Sequence, residues 1–236
     1  MPRRPKKQTL GRLIANGVVA FVLISLIYIV VTGFLSGIVL VAQNSGYINA
    51  NASTYILYAV SLLCLSLAIF LYFIIFRSIR AGQLPAVFGF SLPKLTTRNI
   101  SIGLVIFFII LAIEFFIGLL SVATNTTINP NVAKLFHGAP IWFFLFASVI
   151  EPINEEIVFR GYLVPRIGIL PSAIIFGLAH YTYNSTFGVE VIVAFIFGTI
   201  AGYVFKKTGS LYPSIIAHIL VNSLAAISIL AFPSMI

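Results

Sequence analysis

Residues 140–163 read PIWFFLFASVIEPINEEIVFRGYL, an apolar run long enough to cross a bilayer with Glu151, Glu155, Glu156 and Arg160 set into it from its middle onward. An ionised carboxylate is expensive at that depth. Acids inside a spanning helix therefore face a bundle interior or a cavity, and they are functional candidates by default. The predicted fold class is accordingly all-α, a polytopic transmembrane helical bundle.

Composition agrees. The 236 residues are 60% hydrophobic and 8% charged, outside the range of a soluble domain. The net charge of +9 would suggest nucleic acid as a partner for a soluble protein. In a membrane chain it points to loop placement and anionic lipid, with no nucleic-acid partner. Cys64 is the single cysteine, so one chain can build neither a disulfide framework nor a thiolate zinc cluster.

Further spanning runs lie at Leu13 to Ala42, Tyr55 to Phe76, Asn99 to Val122, Gly188 to Phe205 and Leu211 to Phe232. The shorter run Leu170 to Tyr183 brings the expectation to about seven helices, with eight as the alternative. The first run follows a basic tail but is too long for a signal peptide and lacks a convincing cleavage site, so it reads as a retained helix. If the tail is cytoplasmic, the inner loops receive Arg77, Arg80, Lys94, Arg98, Arg166, Lys206 and Lys207, and the outer side only Lys134. That asymmetry predicts a cytoplasmic N-terminus and an outer C-terminus. The organisation expected is a basic cytoplasmic tail over 1–12 and a single transmembrane domain over 13–236, with the chemistry concentrated at about 140–232. Localisation follows as a multi-pass membrane protein, in the plasma membrane if the source is prokaryotic. No internal repeat is visible, which weighs against an inverted-repeat transporter.

On a helix Glu151 and Glu155 share a face, and Glu156 lies about 100° round. Glu156 precedes Arg160 by four residues, the favourable order for an ion pair. Adjacent acids can thus hold different jobs, Glu156 neutralised by Arg160 and Glu155 left to act as a general base. His180, and His218 one turn before Asn222, also lie in apolar helices. At 1.5 Å per residue, Glu155 lies roughly 16 Å from Arg166, His180 roughly 20 Å from Ile167 and His218 roughly 16 Å from Lys207, so three helices bring these groups to one level. A carboxylate and an imidazole can deprotonate a water, and a His with an Asn can donate to a developing oxyanion. No nucleophile-elbow serine and no paired Asp is present.

The segments Glu155-Glu156-Ile-Val-Phe-Arg160, Phe176-Gly-Leu-Ala-His180 and His218-Ile-Leu-Val-Asn222 resemble the EExxxR, FxxxH and HxxxN motifs of the type II CAAX prenyl endopeptidases and their bacterial CAAX and bacteriocin-processing (Abi) relatives. The resemblance covers about residues 140–230. It implies an intramembrane endopeptidase that hydrolyses a peptide bond of a membrane-associated or lipidated substrate with glutamate-activated water. It further implies Glu155 as base, His180 as its partner on the water, His218 and Asn222 as oxyanion donors, and Glu156 with Arg160 in support. The interval from Arg160 to Phe176 is short for the family, and the N-terminal half carries no signature of it.

No cofactor is expected, and zinc is the alternative. A zinc peptidase would usually show HExxH on one helical face, whereas these histidines sit on separate helices. The rival functions are a transporter or proton relay built on the same acids and histidines, and a non-catalytic immunity or binding protein. The expected partners are a membrane-embedded or membrane-associated peptide or protein substrate and the bilayer. The oligomeric state stays open. Glu114 reads as an interhelical hydrogen-bonding group, Glu190 as interfacial and His137 as a solvated loop residue. Gly198 and Gly202 form a small-xxx-small surface, within the chain or between chains.

Overall fold

The computed structural model describes residues 10–124, 136, 138–183 and 189–231. Among them the protein is helical, with no strand. The basic-tail residues Arg3 to Lys7, together with Lys134, His137 and residues 184–187, fall outside the described ones. The chain groups into two compact units divided after Ala81.

The first unit is a helical hairpin of α1 (Leu10–Asn44) and α2 (Ala50–Phe76). At 35 residues α1 is about 52 Å long, well beyond a hydrocarbon core of about 30 Å. Its end is set by Gly46, whose φ of 78° lets Tyr47 N–H turn back to the Ala42 carbonyl at 2.9 Å. Three residues later Asn49 caps α2, its side-chain oxygen accepting from Ala52 N–H at 2.8 Å. Cys64 is buried in this unit.

The second unit begins with a short helix, α3 (Leu84–Phe88), opened by Pro85 and closed by Gly89 in the left-handed region. The long α4 (Thr97–Thr124) follows. Next comes α5, residues 141–167, in which α-helical turns alternate with π-helical ones: Phe146–Ile150 and Ile157–Leu163 are π-helical, and Glu151–Glu156 between them is α-helical. Gly168, at a φ of 93°, breaks the chain away into α6 (Ile169–Ala179), which runs on as a 3₁₀ turn over His180–Tyr183. α7 (Val189–Thr208) and α8 (Tyr212–Ala231) complete the order.

Among the described residues five helices, α1, α2, α4, α7 and α8, are long and apolar enough to cross a membrane. With the mixed α5 and the 11-residue α6 they make up the expected seven, and the five-residue α3 is an eighth too short to span. The polytopic helical bundle is therefore as the sequence predicts. The fourth span departs in one respect. It is not a uniform α-helix: prolines 152 and 165 lack the N–H groups that would keep α-helical register, and two π-helical stretches result.

Small residues let the helices of the second unit approach closely. A Cβ on Gly177 would lie 2.8 Å from the Val191 carbonyl oxygen, and one on Gly198 3.2 Å from Ala173, so α6 and α7 pack nearly backbone to backbone. The Gly198–Gly202 surface thus serves packing within the chain. Gly103 on α4 meets the Pro213 carbonyl of α8 in the same way, its Cβ reaching 2.8 Å. On the predicted cytoplasmic side, Leu211 N–H donates to the Gly89 carbonyl and Tyr212 Oη to that of Phe90, both at 2.9 Å, while Lys94 donates to Gly209. These bonds tie the α3 region to the α7–α8 turn beneath the site.

Candidate active site

Glu156 and Arg160 sit one turn apart on α5, and Arg160 Nη1 donates to Glu156 Oε1 at 2.7 Å with side-chain exposures of 1% and 0%. The i,i+4 pair expected from spacing is therefore present and sealed. A guanidinium so deep needs more than one partner. Its Nη2 has no hydrogen-bond partner among the described residues, and its carbon instead lies 4.2 Å above the centre of the Phe176 ring and 5.0 Å from that of Phe197. Cation–π attraction strengthens where water is excluded, so the two rings take up charge that Glu156 does not.

The same carboxylate oxygen reaches a second helix. His218 Nδ1, on α8, lies 3.1 Å from Glu156 Oε1. A carboxylate paired with arginine can only accept, so Nδ1 carries the proton and the ring orientation is fixed. The opposite nitrogen, Nε2, then points to Glu155, with 3.6 Å to Oε2. That separation is too long for a direct hydrogen bond. A third group, such as a water, can bond to both atoms from the side. Glu155 keeps 13% of its side chain exposed where Glu156 keeps none, so of the adjacent acids only Glu155 retains accessible surface.

His180 caps α6 at its C-terminal end. Its Nδ1 lies 2.9 Å from the Phe176 carbonyl oxygen, an obligate acceptor, which leaves the lone pair on Nε2. Its ring packs 4.6 Å from the Phe176 ring, and His218 packs 6.0 Å from that ring on another side. Phe176, itself buried, is thus the common neighbour of Arg160 and both histidines. Asn222 is placed differently. Its Nδ2 donates to the Ala147 carbonyl at 3.0 Å, one turn along α8 from the histidine.

Three contributors were not foreseen from the sequence. Phe197 closes the aromatic cage on Arg160 and packs 4.9 Å from His218, but an aromatic in an apolar helix carries no signal of its own. Ser172 donates to the Phe159 carbonyl at 2.8 Å and fastens the second π-helical stretch of α5 to α6. Ala147 had a legible signal, a proline five residues downstream. Among the described residues, no three His, Cys, Asp or Glu side chains converge as a ligand set for a metal. Glu114 and Glu190 lie close enough to repel one another, away from this cluster.

Comparison with known proteins yields two matches. Residues 136–224, less than half of the chain, match the family model described as Rce1-like, type II CAAX prenyl endopeptidase. That stretch contains all three motifs and bears out the resemblance they carry. The uncharacterized protein YpbD of Bacillus subtilis (strain 168) is 28% identical over 96 residues, 41% of this chain and 50% of that one. The chain thus spans about half the length of the curated relative it matches. No solved structure matches. The apolar helices and the family match together describe a multi-pass membrane protein.

Proposed function

We propose that the protein is an intramembrane endopeptidase that cleaves a peptide bond of a membrane-associated or lipidated substrate with a water activated by Glu155. The observation that carries this reading is the asymmetry of the adjacent acids: Glu156 is sealed against Arg160 and His218, whereas Glu155 is accessible and stands 3.6 Å from the far nitrogen of the same imidazole. Glu156 and Arg160 cancel in charge, which leaves Glu155 and the far nitrogen of His218 as the pair free to act on a water.

In the mechanism proposed, a water bonded to Glu155 and to the Nε2 lone pair of His180 gives its proton to Glu155 and attacks the substrate carbonyl carbon. His218, oriented through its Nδ1 contact with Glu156, presents Nε2 to the oxyanion that forms. Collapse of the tetrahedral intermediate breaks the C–N bond, and the proton on Glu155 passes to the departing amine. Asn222, its amide engaged by Ala147, is not asked to donate in this scheme.

The test compares membrane peptidomes of cells carrying the intact chain with those carrying Glu155→Gln. A peptide whose new terminus appears only with the intact chain identifies both the activity and its substrate. Identical peptidomes, with both proteins present at equal level in the membrane, would defeat the proposal.

A further inference from the structure

Pro152 interrupts the hydrogen-bond ladder of α5, because proline has no N–H to give. The register shows which carbonyl is stranded. Glu151 N–H donates to the Phe146 carbonyl, five residues back, so the next rung of that ladder would run from residue 152 to Ala147. Residue 152 cannot make it, and the Glu151 N–H is already committed. Ala147 is buried, and an unmet carbonyl is costly where no water replaces the missing donor. Asn222 Nδ2 supplies that donor from α8 at 3.0 Å.

This contact and the catalytic pair are successive rungs between the same two helices. Ala147 meets Asn222, and further along α5 Glu155 and Glu156 meet His218, one turn earlier on α8. We propose that Asn222 is a positioning residue which, by occupying the Ala147 carbonyl that Pro152 strands, locks α8 to the π-helical stretch of α5 and sets the rotation at which Glu155 faces His218. The catalytic half of this statement rests on the peptidase reading, and the helix-clamp half does not.

A four-variant cycle in detergent-purified full-length protein tests it, comprising the intact chain, Asn222→Ala, Pro152→Ala and the double variant, each also expressed for membrane peptidomes. Alanine at 152 restores an N–H directed at Ala147. Asn222→Ala alone is expected to lower Tm by roughly 3–8 °C and to deplete the cleavage product. In the Pro152→Ala background the same substitution is expected to cost less than about 2 °C, with the product restored. Gly177→Ala, a destabilising change elsewhere, is not rescued by Pro152→Ala, which separates a specific clamp from general stabilisation.

Loss of product at unchanged Tm, with no rescue, would overturn the clamp and make Asn222 a direct oxyanion donor. Absence of any product that depends on Glu155 would defeat the peptidase reading alone, since coupling or additivity of the Tm values still decides the clamp. Should Pro152→Ala fail to accumulate, Asn222→Asp keeps the shape but presents an acceptor to the carbonyl. It must then lower Tm at least as far as Asn222→Ala, and an unchanged Tm overturns the proposal.

Discussion

The imidazole of His218 bridges two carboxylates unequally, with Nδ1 3.1 Å from Glu156 and Nε2 3.6 Å from Glu155. The closer contact belongs to the carboxylate that Arg160 already neutralises, so it orients the ring without taking up its reactive nitrogen. The longer contact leaves Nε2 and Glu155 beside each other with space to share a third group. Two identical side chains, adjacent in sequence, are thereby placed in different surroundings, one sealed in an ion pair and one partly exposed.

That division predicts different outcomes for the same substitution at the two positions. Glu155→Gln should abolish cleavage while the purified protein unfolds within about 2 °C of the intact chain, since it is partly exposed and breaks no sealed ion pair. Glu156→Gln leaves the Arg160 charge buried and uncompensated, at a cost of about 3–5 kcal/mol. Thermal unfolding and recovery from the membrane measure the difference. Equal stability loss in the two variants would count against the division.

Gly177 lies three residues before His180, where a Cβ would come within 2.8 Å of the Val191 carbonyl oxygen and 3.2 Å of Phe195. A backbone oxygen on a packed helix cannot step aside cheaply. Gly177→Ala should therefore cost about 1–3 kcal/mol and displace His180, lowering cleavage. Gly118→Ala is the control, because nothing lies within 4 Å of its Cβ. Unfolding midpoints of the two variants side by side check this; matching values would show that α6 and α7 are not in such close contact.

Hydrolysis by Glu155 is expected to need no metal. Protein stripped by a strong chelator should retain its cleavage of the substrate peptide found in the peptidome comparison. Loss of activity that stoichiometric zinc restores would replace this mechanism with a metallopeptidase one.

The loop charges predict a cytoplasmic N-terminus, and seven crossings then put the C-terminus outside. A reporter fused after the last residue should be active only on the outer face. A cytoplasmic signal would mean that α6, with 11 residues, does not count as a crossing.

Several features of this protein are local in sequence and were therefore legible there. Spanning length and the Glu156–Arg160 pair both depend on neighbours within a turn or two, where a 3.6-residue period dictates what can meet. Rise per residue from the loop charges also brought Glu155 and His218 to a similar level, in keeping with their 3.6 Å separation. The rotation of each helix about its own axis was decided only in the folded bundle. Prolines 152 and 165 push parts of α5 into π-helical turns, and each extra residue in a turn swings the following side chains round by a large fraction of a circle. Which acid His218 touches, why Asn222 turns to Ala147 and how Phe176 and Phe197 come to hold Arg160 all follow from that rotation. Such contacts join residues far apart in the chain through packing between whole helices, and no spacing within one segment encodes them.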